Sequence, residues 1–188
     1  MSDFDTVRRI ITAQKADGRN VVSIDEQVEP CISDGTNTNA GHSLWRIWGS
    51  DDIPHLPLVD DEFTYEDTMF APPGGYRVQI CEFPAKSGSS LKPRGQFPGL
   101  GTELGRNDTH TVSDELGDIN DTVMHYTNSV DIMIVLEGEL EFHVEGAEQI
   151  ILRKGDVLVN NGVAHAWFNG PVPCRIAMIA QGATRTVS

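Results

Sequence analysis

Along most of the chain, apolar residues recur in short runs at a period of two rather than in the three-to-four spacing of a helix. Ser43–Ser50 (SLWRIWGS) alternates bulky apolar and polar residues, which predicts a half-buried strand with alternate side chains on opposite faces. Upstream, two β-prone runs flank Ala16-Asp17-Gly18-Arg19, a hairpin signal built on Asp-Gly. A Pro/Gly turn at 72–75 precedes a strand expected over 76–83. The last third is the most regular, with strands expected at 131–136, 140–144, 148–152, 157–159, 165–169 and 174–180. Glycine-centred turns at Gly138, Gly146, Gly155, Gly162 and Gly170 separate them. Many short strands at even spacing predict an all-β sandwich or barrel.

Between these regions the pattern changes. The stretch 51–67, with Pro54, Pro57 and many acids, reads as a surface connection. The stretch 86–121 is rich in Gly, Ser, Pro, Asp and Asn and has few periodic apolar positions. A connection that long within one domain points to function or disorder. It leads directly into the strand region at His125, so it is expected to act as a lid over a site, with Phe97, Leu100 and Leu104 covering an apolar substrate and Arg94 or Arg106 meeting a carboxylate. No repeat of 20–50 residues is present. The expectation is a single domain over 1–188, with N-terminal strands in about 1–85, the insertion at 86–121 and the regular core at 123–182.

Bulk properties narrow the partners. The chain has 188 residues, enough for a core without disulfide staples. Acidic residues outnumber basic ones 28 to 14, a formal net charge of −14. Such a surface repels phosphate backbones and anionic membranes, so neither nucleic acid nor membrane is an expected partner. No apolar run is long enough to span a bilayer, and the first residues do not read as a secretory signal. Cys31, Cys81 and Cys174 are few, far apart and odd in number. They are expected as buried thiols of a cytoplasmic protein.

Two stretches carry candidate chemistry: HYTNSVDIMIVLEGELEF from His125 and LRKGDVLVNNGVAHAWFN from Leu152. Together they resemble the two halves of the cupin signature. The first half places two histidines one residue apart, then an acid, then a glycine seven residues beyond the acid. Here His125 takes the first histidine, Thr127 stands where the second is usual, Asp131 replaces the usual glutamate and Gly138 takes the glycine. Gly155-Asp156, Gly162, His165 and Asn169 follow the second half with one residue fewer than its commonest spacing. The resemblance extends from Val123 to about Gly182 and is to small single-domain cupins with an atypical first motif. It implies a double-stranded β-helix, or jelly-roll barrel, with N-terminal strands extending a sheet. It also implies a homodimer.

On that fold, His125, Thr127 and Asp131 are expected to open one strand with a common face, continued by Met133 and Val135. His165 and Trp167 share a face of a later strand. Two imidazoles and a carboxylate at one barrel mouth suit Zn, Fe, Mn or Ni, so His125, Asp131 and His165 are the candidate ligands of a divalent metal ion. The same three are candidate catalytic groups, with Tyr126 as a proton donor if it faces inward. Trp167, Met133, Thr127, Arg94 and Phe97 are candidate substrate contacts. A small-molecule substrate and an enzyme of lyase or isomerase type are expected, the metal acting as a Lewis acid and Asp131 as ligand or general base. An Fe(II) dioxygenase and a ligand-binding cupin without turnover are the alternatives. The other histidines read as ordinary: His42 and His55 in loops, and His143 on a polar face with Glu139 and Glu141. Asp156 and Asn169 read as turn residues.

Overall fold

The structure, a computed structural model, describes residues 6–30, 32–33, 43–59, 70–85, 109–111, 125–147 and 149–186. Among them there are thirteen strands and no helix. The N-terminal hairpin joins β1 (Val7–Gln14) to β2 (Asn20–Val28) through the Asp17-Gly18 turn, where Gly18 takes a φ of 85° that a side chain would resist. Next come β3 (Ile32–Ser33), β4 (Ser43–Ser50) and β5 (Tyr76–Phe83). After them lie β6 (Thr109–Thr111), β7 (His125–Thr127), β8 (Ser129–Glu137) and β9 (Glu139–Val144). The last four are β10 (Gln149–Arg153), β11 (Val157–Asn160), β12 (His165–Asn169) and β13 (Cys174–Gly182).

The strands form a five-stranded sheet in the order β10-β9-β12-β7-β6 and a six-stranded sheet in the order β11-β8-β13-β5-β4-β3. From β7 onward the chain passes repeatedly from one sheet to the other: β7 lies in the first, β8 in the second, β9 and β10 in the first, then β11, β12 and β13 in alternation. That alternation is the double-stranded β-helix expected from the sequence. Every pairing between strands is antiparallel.

Side-chain alternation decides what faces inward. On β8, Ser129, Asp131, Met133 and Val135 are buried while Ile132 and Leu136 are exposed. On β13, Cys174, Ile176, Met178 and Ala180 are buried in the same rhythm. Register then sets rows across the inner face of the six-stranded sheet. One row runs Val135, Ile176, Cys81, Leu44. The next runs Leu158, Met133, Met178, Gln79, Arg46, and the third Asn160, Asp131, Ala180, Arg77. The first row joins Leu140, Phe142 and Leu152 of the facing sheet in the core. Burying each large apolar side chain there contributes about 1.5–3 kcal/mol. The polar groups gather in the third row, toward one end of the interior.

Some expectations need revision. The N-terminal strands do not all extend one sheet: β3, β4 and β5 join the six-stranded sheet, but β1 and β2 make a two-stranded sheet of their own. His125, Thr127 and Asp131 do not share one strand. The chain bends at Asn128 and carries β7 and β8 into opposite sheets. The insertion 86–121 is not wholly without strand, because Thr109–Thr111 pairs with β7, placing His110 opposite Tyr126. The outward side of β8 is exposed at Ile132 and Leu136.

Candidate functional site

The polar end of the interior is built where β7, β8, β11 and the start of β12 meet. Thr127, Ser129 and Asp131 are each nearly inaccessible, the aspartate at 2% exposure. The Ser129 hydroxyl lies 2.7 Å from Asp131 Oδ1 and 2.8 Å from Thr127 Oγ1, and Thr127 Oγ1 donates to Asp131 Oδ2 across 3.2 Å. The bend at Asn128 makes this triangle possible, since it brings the end of one strand over the beginning of the next.

Counting protons around the triangle is informative. Three oxygen–oxygen contacts are present, but two hydroxyls supply only two protons. With an ionised carboxylate one contact has no proton between its oxygens. With a neutral carboxyl, all three contacts carry a hydrogen bond in a closed ring. Burial pushes the Asp131 carboxyl upward from its ordinary range, while the hydrogen bonds from Ser129 and then Thr127 pull it back; burial is the larger effect. Desolvation thus favours the neutral acid while the donated hydroxyls favour the anion, and burial is the larger of the two.

His165 stands at the start of β12, 2% exposed. Its Nδ1 is 2.8 Å from the Val163 carbonyl oxygen and 3.0 Å from the Asn160 amide nitrogen. The carbonyl can only accept and the amide nitrogen can only donate. Each tautomer of the neutral ring therefore keeps one hydrogen bond at Nδ1: it donates to Val163 when protonated there and accepts from Asn160 when the proton is on Nε2. Asn160 is the register partner of Asp131, so the amide links the imidazole to the strand carrying the carboxyl. Asn160 Oδ1 also accepts from Val163 N at 3.3 Å.

An aromatic wall lies next to the imidazole. The Phe142 ring is 5.2 Å from His165 and 4.6 Å from Trp167, and Trp167 meets His165 edge-on at 5.8 Å. Phe83 stacks on Trp167 at 6.3 Å from the facing sheet. Such offset and edge-on geometries suit the ring quadrupoles and hold the wall rigid.

The sequence-predicted residues separate into groups. His165, Asp131 and Thr127 belong to the polar end, and Trp167 lines the interior beside it. His125 is directly opposite His165 in the register of β7 and β12, which places it by backbone alone. Tyr126 does not take the inward position required of a proton donor: Thr127 beside it is buried, and the Arg185 guanidinium lies over the Tyr126 ring at 4.0 Å. Met133 is a core residue, 4% exposed and packed with the apolar cluster, rather than a substrate contact. Arg94 and Phe97, with most of the proposed lid, lie outside the described residues. His143 is not simply solvent-facing; its ring sits 4.2 Å from Phe168. Asp156 is a turn residue as expected, accepting the Arg153 N–H at 2.8 Å.

Sequence reasoning missed Ser129, Asn160 and Arg185. The first had a signal, since Thr127, Ser129 and Asp131 repeat hydroxyl, hydroxyl, acid at a spacing of two. Asn160 was masked by its place in an Asn-Asn-Gly turn, and Arg185 lies beyond the last strand with no pattern around it.

Among the described residues no three His, Cys, Asp or Glu side chains are placed to share a cation. Both oxygens of Asp131 are engaged by hydroxyls, and His125, another of the expected ligands, is placed by its backbone alone. Thr127 contributes an already bonded hydroxyl where the family pattern has an imidazole.

Comparisons with known proteins give partial likenesses. No family model matches the chain. The oryzines biosynthesis cluster protein J of Aspergillus oryzae is 29% identical over 173 residues, covering 89% of this chain and 76% of that protein. The cupin-domain-containing oxidoreductase virC of Hypocrea virens is 38% identical over 60 residues, 30% of this chain and 31% of its own length. Among solved structures, ectoine synthase from P. lautus is 15% identical with a TM-score of 0.35, covering 58% of this chain and 55% of that one.

Proposed function

We propose that this double-stranded β-helix is a cupin and a small-molecule enzyme of lyase or isomerase type in which His165 transfers the proton. The observation that carries this reading is the contact pair at His165 Nδ1. An imidazole supported in both tautomers can take a proton at Nε2 and return to the neutral form without losing its anchor. Asp131, held by the Thr127 and Ser129 hydroxyls and pushed by burial toward its neutral form, fixes a carboxyl group beside the imidazole strand. The Phe142, Trp167 and Phe83 wall packs against the imidazole and keeps that side of it apolar. Decarboxylation, dehydration or a related proton shift fits this equipment. The long match to a biosynthesis cluster protein supports a substrate drawn from secondary metabolism.

The test begins with the metabolite that accumulates when the gene is deleted. Purified protein is expected to convert it, and a folded His165→Ala variant to have lost conversion. Normal turnover by that variant overturns the assignment. A second reading, an oxidoreductase such as an Fe(II) dioxygenase, is favoured by the local match to a cupin-domain oxidoreductase. Oxygen consumption matched to turnover, together with stoichiometric iron in protein purified without chelators, would select it. Tight binding of the metabolite without product would select a ligand-binding cupin.

A further inference from the structure

Beyond the last strand, Arg185 reaches back to the seam between the two sheets. Its Nη2 donates to the Gly162 carbonyl at 2.6 Å and to the Thr127 carbonyl at 3.1 Å, and its Nε donates to Asn128 Oδ1 at 3.1 Å. The guanidinium also covers the Tyr126 ring at 4.0 Å, a cation–π contact. One residue pair earlier, the Ala183 N–H donates to the Asn128 carbonyl at 2.9 Å, which lays the tail along the β7–β8 bend. Gly162 is fitted closely into the same place: it has a φ of 67°, and a Cβ there would approach Arg185 Nη2 and the Thr127 carbonyl at 3.1 Å each.

These contacts join two segments that otherwise belong to different parts of the fold. One is the bend that sets Thr127 and Ser129 around Asp131. The other is the β11–β12 turn, which sets Asn160 and Val163 around His165. We propose that Arg185 is a positioning residue that fixes the hydroxyl–carboxyl ring and the imidazole relative to each other. This rests on the reading of His165 as the proton-transfer group, but it concerns geometry that can be measured without a substrate. A guanidinium is suited to the task because its rigid planar fork serves several acceptors at once, which the point charge of a lysine does not.

The experiment is nitrogen-15 and carbon-13 NMR of the His165 ring, with amide hydrogen exchange, in the whole chain as wild type, Arg185→Lys and Arg185→Ala. His165→Ala provides the resonance assignment, and chemical denaturation verifies folding. In Arg185→Ala the His165 ring signals are expected to shift and broaden, and protection at Val163 and Ser129 to fall about tenfold. In Arg185→Lys the ring signals should lie between the two, with partial recovery of protection. If Arg185→Ala only lowers global stability, with ring signals and local protection like those of wild type, the positioning role is overturned. Should Arg185→Ala fail to fold, the lysine variant decides alone: ring signals identical to wild type refute the role and displaced signals support it. Loss of the proposed function, with turnover intact in His165→Ala, would leave these NMR outcomes readable on their own terms.

Discussion

Replacing Ser129 with alanine tests the hydroxyl–carboxyl ring most directly. The change removes the two shortest contacts, 2.7 Å to Asp131 and 2.8 Å to Thr127, and leaves the carboxyl with the 3.2 Å contact alone. Burial holds the folded-state midpoint of Asp131 above its value in the unfolded chain. The stabilising contribution of the neutral carboxyl is therefore complete below the unfolded midpoint and is lost as pH rises through the folded one. A hydrogen bond to a neutral group contributes about 0.5–1.5 kcal/mol, and one to an ionised group about 1.5–3 kcal/mol. The variant should thus be less stable than wild type at every pH, with the deficit growing by about 1 kcal/mol from the acid to the alkaline side of the folded midpoint. The assay is urea denaturation followed by tryptophan fluorescence from about pH 3, below the unfolded-chain midpoint, to about pH 9, with the slope m unchanged between the proteins. Asp131→Asn provides the control, because it removes the titration, keeps the shape and should be relatively more stable than wild type as pH rises. A Ser129→Ala deficit that stays flat across the range would refute the proton count on which the site reading depends.

Other expectations can be examined with simple measurements. Phe142→Ala removes a fully buried ring that supports both His165 and Trp167, and should cost about 3–5 kcal/mol by denaturant midpoint; a loss below about 1 kcal/mol would mean the wall is not packed as described. The Cys174 thiol, pushed up to about 11 by burial and then by Glu139, should resist iodoacetamide at mildly alkaline pH until the protein is unfolded, as read by peptide mass spectrometry. Gly138→Ala combines a φ of 80° with a Cβ directed into the Pro173 carbonyl, and is expected to give little soluble folded protein; a wild-type denaturation midpoint would contradict that geometry. The homodimer implied by family resemblance is proposed to use the outward side of the six-stranded sheet, where Ile132, Val157, Val159 and Ile179 are exposed. Sedimentation should then show a dimer that Val159→Glu converts to monomer, and a monomeric wild type would end that proposal.

How much of this was readable in advance depended on whether the determinant was local. Strand positions are set by alternation and by glycine turns, so Ser43–Ser50, Tyr76–Phe83 and His165–Asn169 were legible residue by residue. The spacing of two motifs pointed to His165 and Asp131, which Asn160 links as the register partner of one and the hydrogen-bond partner of the other. What spacing could not show was the bend at Asn128, because a single residue that turns a strand into the opposite sheet leaves no periodic trace. The expectation of a common face for His125, Thr127 and Asp131 departed from the structure there. It assumed one continuous strand face, whereas the bend turns Thr127 and Ser129 onto the carboxyl and engages both its oxygens. Arg185 was illegible for a different reason: its partners are backbone carbonyls, which every residue possesses.

The place of β13 between β8 and β5 has a consequence for synthesis. Its partners Tyr76–Phe83 leave the ribosome about a hundred residues before it does, as the Gln181 side chain bond to Gly75, 106 positions apart, illustrates. Until the C-terminal strand arrives, β5 and β8 each present an open edge, and the larger sheet exists only as two separate halves. Pairings of such long range form slowly. The nascent protein must therefore remain unaggregated with its interior exposed until β13 has been made, and chaperone dependence during synthesis, rather than native stability, is expected to limit its yield.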